Sequence, residues 1–172
     1  MISSKTKILG IFGYPIKHSF SPLMHNAAIE KMGLDFVYLP FEVKTDNLSD
    51  AVSAIRIFNI TGVNVTIPHK ENIVKYLDQI SAEAKKIGAV NTIVNKNGKL
   101  SGFNTDYYGF LKSISEKITP RNKNVLMLGC GGVAKAIALS LIDSKIDRLT
   151  VADIDTEKAK HFLEGSFPQI KV

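Results

Sequence analysis

A glycine-rich turn set between a strand and a helix constrains this chain more than any other feature. Asn124 to Leu128 is a short apolar run, Gly129-Cys130-Gly131-Gly132-Val133-Ala134 follows it, and Val133 to Ile142 has helical spacing. The turn matches the pattern G-x-G-x-x-G/A, with Ala134 in the last place. In such a unit Gly129 permits the tight turn and Gly131 lets backbone approach a pyrophosphate. Ala134 keeps helix and strand close, and the helix N-terminus faces the anion. An ordinary strand-to-helix turn is the plainer reading of glycines alone. A second strand, Arg148 to Ala152, and an acid at its end, Asp153, complete the spacing expected of a dinucleotide site. Gly129, Gly131, Gly132, Val133, Ala134 and Asp153 are therefore the candidate cofactor contacts.

A carboxylate at position 153 can accept from both ribose hydroxyls and repels a 2′-phosphate, so NAD is expected ahead of NADP. Asp153 could instead cap the following helix, and Asp155 competes for either role. Cys130 has no histidine positioned beside it by the sequence and reads as a small loop residue.

The rest of the chain predicts a separate α/β unit ahead of this one. Ile8 to Phe12 is a buried-strand run ended by Gly13-Tyr14-Pro15. Ser21-Pro22 suits a helix start, with Ser21 as cap, and Gly33 stops that helix. Phe36 to Val43 and Gly62 to Ile67 are β-rich, and Asp46 to Asn59 has helical spacing. Ile73, Val74 and Leu77 suggest a helix after Pro68, and Ala82 to Ile87 a short one. Asn97-Gly98 marks a hairpin turn between Ala89–Asn95 and Lys99–Phe103, and a helix over Thr105 to Glu116 follows. The polar, proline-bearing stretch Thr119 to Lys123 places a boundary that gives domains 1–118 and 119–172. Two strands and two helices after it, with a strand beginning at Gln169 to Val172, make only the first half of a doubly wound domain. The expectation is an α/β chain with an N-terminal substrate domain and an incomplete Rossmann domain, cut short at its C-terminus.

Composition narrows the function. The chain has 172 residues and a formal net charge of +6, with its 22 basic residues dispersed and no basic stretch interleaved with aromatics. Nucleic acid is thus an unsuitable partner, and small anions suit the mild positive field. One cysteine excludes an internal disulfide and fits a reducing, cytoplasmic setting. One cysteine and four scattered histidines build no zinc cluster. No run approaches the roughly 18 apolar residues that span a membrane, and the N-terminus lacks the form of a signal peptide. Oligomeric state is left open.

Several polar residues stand at strand ends and helix starts: Ser19, Ser21, Thr66, His69, Lys70, Asn91 and Asp106. Singly each has a structural explanation, a cap, a solvated cation, a bulge or a core histidine. Jointly they supply hydroxyls, amides, a cation and an anion, a set suited to a polyhydroxy carboxylate.

The segments Gly13-Tyr14-Pro15-Ile16-Lys17-His18-Ser19-Phe20-Ser21-Pro22-Leu23-Met24-His25-Asn26, Asn64-Val65-Thr66-Ile67-Pro68-His69-Lys70, Gly88-Ala89-Val90-Asn91-Thr92 and Gly102-Phe103-Asn104-Thr105-Asp106-Tyr107-Tyr108-Gly109 occur in that order. With the Gly129 turn they resemble the motifs of the shikimate dehydrogenase family across essentially the whole chain. The resemblance implies reversible, NAD(P)-dependent reduction of 3-dehydroshikimate to shikimate in aromatic amino acid biosynthesis. It implies that Ser19 and Ser21 hold the substrate carboxylate, that Thr66, Asn91 and Asp106 contact ring hydroxyls, and that Lys70 and Asp106 form the catalytic pair. Where the family carries Asn-Arg-Thr after the second cofactor strand, this chain has Asp153-Ile154-Asp155. The absent arginine again implies NAD, and NAD-using relatives often take quinate too. Ser21, where quinate-preferring relatives tend to carry threonine, favours shikimate. A chain that binds shikimate without turning it over is the remaining alternative.

Overall fold

The computed structural model describes residues 2–166, so the strand expected over Gln169 to Val172 lies outside the described residues. It divides into two compact units between Phe103 and Asn104.

In the first unit, β1 (Lys7–Gly13) lies between β2 (Phe36–Glu42) and β3 (Gly62–Val65), parallel to both. β5 (Thr92–Lys96) and β6 (Lys99–Phe103) extend the sheet antiparallel, and the two-residue β4 (Gln79–Ile80) closes it, in the order β2-β1-β3-β5-β6-β4. Alternate β1 residues point to opposite faces, so this strand feeds two cores. Ile8 and Phe12 join Leu48, Val52 and Ile55 of α2 (Leu48–Ile57), together with Val63, Ile73, Ile93 and Leu100. Leu9 and Ile11 join Ile16, Tyr38 and Ile29 of α1 (Ser21–Lys31). Gly10 is required by close packing, because a Cβ there would collide with the Phe41 ring and the Leu39 carbonyl.

Helix α1 starts as expected, with proline in its first turn, but Phe20 occupies the N-cap and no side chain caps it. Ser21 is therefore the first residue of the helix and not its cap. Gly33 ends this helix region with φ +64°. The helix expected around Ile73 forms as a 3-10 helix, Asn72–Tyr76, and α3 (Ala82–Ile87) is capped by Ser81 accepting from Ala84 N. The β5–β6 turn uses Asn97 and Gly98, both at positive φ, as a two-residue hairpin requires.

Two polar clusters pin this hairpin. Arg56 donates to Gly98 O and, at 2.9 Å, to Asp78, whose carboxylate also accepts from Leu100 N at 2.7 Å. The Leu100 amide first, then Arg56, holds the Asp78 carboxyl below the usual carboxylate range. On the buried side, Asn95 donates to Ile55 O and Ile60 O and accepts from Gly98 N.

The second unit contains α4 (Thr105–Ser115), β7 (Asn124–Leu128), α5 (Ala134–Asp143), β8 (Arg148–Ala152) and α6 (Thr156–Ser166). β7 and β8 run parallel, joined through α5, which is the strand-turn-helix-strand unit expected for this region. α4 packs on α5 within this unit, and the buried Tyr107 donates to Asp143 at 2.8 Å.

Replacing Asn95 with alanine takes one donor each from Ile55 O, which keeps Ile60 N, and from Ile60 O, and removes the acceptor of the Gly98 amide. The expected loss is about 2–3 kcal/mol of stability, read from urea unfolding of the Asn95→Ala chain against wild type.

Candidate functional site

Substrate-site candidates gather where β1, β3 and β5 meet the start of α1. The Ser19 hydroxyl accepts from Ser21 N at 3.2 Å, folding the Ser19-Phe20-Ser21 turn upon itself. Thr66 N donates to Phe12 O at 2.9 Å, and Tyr14 N to Ile67 O at 3.0 Å, so the segment after β3 is laced to the end of β1. Val65 N donates to Asn91 O at 2.8 Å, and Asn91 N to Phe103 O at 3.0 Å. Asn91 is thus locked between β3 and β6 with its side chain buried. Lys70 is half-buried, and its carbonyl accepts from Val90 N at 2.8 Å, which fixes its backbone beside Asn91.

His69 is wholly buried, and Nε2 lies 2.6 Å from Val43 O, so this nitrogen carries the proton and anchors the loop bearing Lys70. The structural reading of His69 is the one the geometry supports. Asp106 belongs to the second unit, in the first turn of α4, where Asn104 caps the helix by accepting from Asp106 N at 3.1 Å.

Three residues that the sequence reading gave no role organise this place. Asn26 on α1 faces the backbone of Tyr38, donating to its carbonyl and accepting from its amide, both at 2.9 Å. The Tyr38 phenol donates to Asn64 Oδ1 at 2.8 Å. Asn64 Nδ2 reaches Thr92 Oγ1 at 3.3 Å and Asn91 O at 3.4 Å. Asn26 and Asn64 lay inside recognised motifs, whereas Tyr38 carried only the mark of a β-forming aromatic. Burial pushes the Tyr38 phenol from 10.0 up to about 12, opposed in part by the Ser21 side chain.

In the second unit, Gly129 adopts φ +90°, a conformation that demands glycine, and its amide donates to Ala152 O at 2.7 Å. A Cβ on Gly131 would meet nothing within 4 Å, leaving room for a ligand to approach the backbone. Gly132 and Val133 continue the turn, and Ala134 is buried as the first residue of α5. Beside it a cleft of about 520 Å³ is lined by Leu128, Gly129, Ala152, Asp153 and Ile154. The Asp153 carboxylate faces the turn. Oδ2 accepts from Cys130 N at 2.9 Å and from the Cys130 thiol at 3.1 Å, while Oδ1 accepts from Asp155 N at 3.0 Å. An open glycine turn at the head of a helix, with a fixed carboxylate at the next strand end, fits a dinucleotide.

Residues 11–93 match the family model described as the shikimate dehydrogenase substrate binding domain. A shikimate dehydrogenase (NADP(+)) of Methanococcus maripaludis is 47% identical over 172 residues, 99% of this chain and 61% of that protein. The crystal structure of shikimate dehydrogenase from Aquifex aeolicus gives a TM-score of 0.90 at 40% identity, covering 100% of this chain and 64% of that one. Shikimate 5-dehydrogenase from Listeria monocytogenes, solved with shikimate and NAD, gives 0.89 at 37% identity, covering 98% and 60%. The chain spans about three-fifths of the length of the curated relatives it matches. The NADP(+) in the relative's name lends no support to the expected preference for NAD. Among the described residues no helix is long and apolar enough to cross a membrane.

A raised phenol pKa stabilises the folded unit fully below pH 10, and that contribution is lost as pH rises from 10 through about 12. The wild-type unfolding midpoint is therefore expected to fall more steeply above pH 10 than that of Tyr38→Phe. Thermal melts of both chains between pH 9 and 11 check this; parallel profiles contradict it.

Proposed function

We propose that the chain is a member of the shikimate dehydrogenase family, that it binds shikimate and that it serves its NAD(P)-dependent interconversion with 3-dehydroshikimate. The observation that carries this reading is the convergence of Ser19, Ser21, Thr66 and Asn91 onto one hydrogen-bonded corner of the first unit, with Lys70 fixed beside Asn91. Ser19 and Ser21 hold the carboxylate, and Thr66 and Asn91 contact ring hydroxyls. The domain division proposed is a substrate domain over 1–118 and a dinucleotide domain from 119 on.

A dinucleotide held at Gly129, Gly131, Gly132, Val133, Ala134 and Asp153 supplies or accepts the hydride. The protein's own part is the proton. In the reducing direction the ketone oxygen gains negative charge, and the Lys70 ammonium stabilises it and delivers a proton there. In the oxidising direction the Lys70 amine takes that proton from the hydroxyl.

For the cofactor we propose NAD over NADP. Asp153 is held by Cys130 and Asp155 at the strand end where the ribose lies in such folds, and a fixed carboxylate repels a 2′-phosphate. Ile154, fully exposed, supplies no compensating cation.

Three outcomes test these assignments. Calorimetry of the 172-residue chain is expected to show saturable shikimate binding, weakened about tenfold or more by Ser19→Ala; absence of binding overturns the substrate assignment. Lys70→Ala is expected to cut shikimate oxidation by about 10²–10⁴-fold with a smaller change in shikimate affinity; near-normal turnover removes Lys70 from the mechanism. In direct titrations Asp153→Asn is expected to raise NADP affinity relative to NAD, and tighter NADP than NAD binding by the wild type refutes the NAD assignment.

A further inference from the structure

The tip of the β5–β6 hairpin carries the chain's one Asn-Gly step, Asn97-Gly98. An asparagine ahead of glycine is open to attack on its own side chain. With no Cβ on residue 98, nothing hinders the Gly98 nitrogen from reaching Asn97 Cγ. Asn97 is exposed, and a Cβ on Gly98 would meet nothing within 4 Å, so water has access to the turn. Lys96 and Lys99, paired at the base of the turn, place two cations near the nitrogen that must lose its proton. Against these features stands a clamp on Gly98. Its N–H donates to Asn95 Oδ1 at 2.9 Å, and its carbonyl accepts from Arg56 Nε at 3.1 Å. Both anchors are themselves held. Asn95 is buried and donates to Ile55 O and Ile60 O, and Arg56 is paired at 2.9 Å with Asp78.

We propose that Asn97 is a modification site, converted spontaneously to aspartate and isoaspartate, and that the clamp on Gly98 gates the conversion. A hydroxide or buffer base takes the proton from the Gly98 nitrogen, which then bonds to Asn97 Cγ. The Cγ–Nδ2 bond breaks, the base returns its proton to Nδ2, and this nitrogen leaves as ammonia. Solvent water opens the resulting cyclic imide at one of its two carbonyls. Opening at Cγ gives aspartate, and opening at the main-chain carbonyl gives isoaspartate, whose backbone runs through Cβ and Cγ. No oxidant or reductant takes part. The hydrogen bond to Asn95 keeps the proton on the Gly98 nitrogen, and together with Arg56 it stops the peptide swinging toward Cγ. Conversion therefore proceeds from turns in which the clamp has opened. Isoaspartate adds a backbone atom to a two-residue turn that closes through positive φ at both residues, so the product cannot rebuild the original hairpin end.

The 172-residue chain is incubated in mildly alkaline buffer, and conversion at residue 97 is followed by mass spectrometry with isoaspartate resolved from aspartate. The folded wild type is expected to convert at least about tenfold more slowly than the same chain in guanidinium chloride. Equal rates overturn the gating, and no conversion in either state overturns the site itself. Under folding conditions Asn95→Ala is expected to speed conversion at least about tenfold, because the open turn then competes with one hydrogen bond fewer. An unchanged rate overturns the clamp. Asn95→Ala also lowers stability, so Ile29→Ala, in the core on the other face of the sheet, serves as its control. This variant keeps the clamp and is expected to convert within about twofold of wild type. Acceleration equal to that of Asn95→Ala assigns the protection to global stability and overturns the clamp. Should Asn95→Ala fail to fold, Arg56→Ala frees the Gly98 carbonyl and is expected to speed conversion at least about threefold; no change again overturns it.

Discussion

A strand at the edge of a sheet presents backbone donors and acceptors that nothing in the sheet can meet, and the first unit depends on how β2 meets that demand. Asn26 lays its side-chain amide against Tyr38 as a further strand would, giving and taking one hydrogen bond. Pro40, two residues on, has no amide proton to satisfy. One asparagine thus finishes the edge and fixes α1 to it. Because the start of α1 carries Ser21 and the preceding turn carries Ser19, this edge contact also determines where both hydroxyls stand. With its backbone held from outside and its ring buried between sheet and helix, Tyr38 can aim its phenol only at the end of the neighbouring strands. The edge repair and the polar corner are consecutive consequences of the same contact.

The second unit meets a similar demand with charge. A turn at the head of a helix leaves amides facing outward, and Asp153 satisfies one of them, at Cys130, with an oxygen that also takes the Cys130 thiol. The Asp155 amide occupies the other oxygen. Bound at both ends, the carboxylate keeps a fixed direction, and the proposed preference for NAD rests on that. The thiol contact accounts for Cys130 better than any nucleophilic role. A cysteine hydrogen-bonded to a carboxylate has its proton occupied.

Much of this architecture was legible in the sequence, and the part that was not has a common cause. The hairpin at Asn97-Gly98 and the strand, turn and helix around Gly129 follow from local backbone chemistry: positive φ at named residues, and alternation giving way to helical spacing. β4 was illegible because two residues carry no periodicity; it exists because Gln79 and Ile80 meet Ser101 and Gly102. The turn around Ile73 forms a 3-10 helix where apolar spacing predicts an ordinary one, since the segment from Asn72 to Tyr76 is short and ends in extended backbone at Leu77.

Within the candidate site the same division holds. Ser19, Ser21, Thr66, Lys70 and Asn91 stood out as polar residues where local structure did not ask for them. Tyr38 did not, because a tyrosine in a β-rich run needs no explanation until the register is known. Pairing of Tyr38 with Leu9 puts its ring on the α1 face, and pairing of Asn64 with Ile11 brings the amide under the phenol. A shift of one residue in either pairing would send those side chains to the opposite face and dissolve the chain of hydrogen bonds from Tyr38 to Asn91. Residues that touch a ligand can be recognised by the chemistry they carry, whereas residues that orient them are defined by register, and register is a property of the whole sheet.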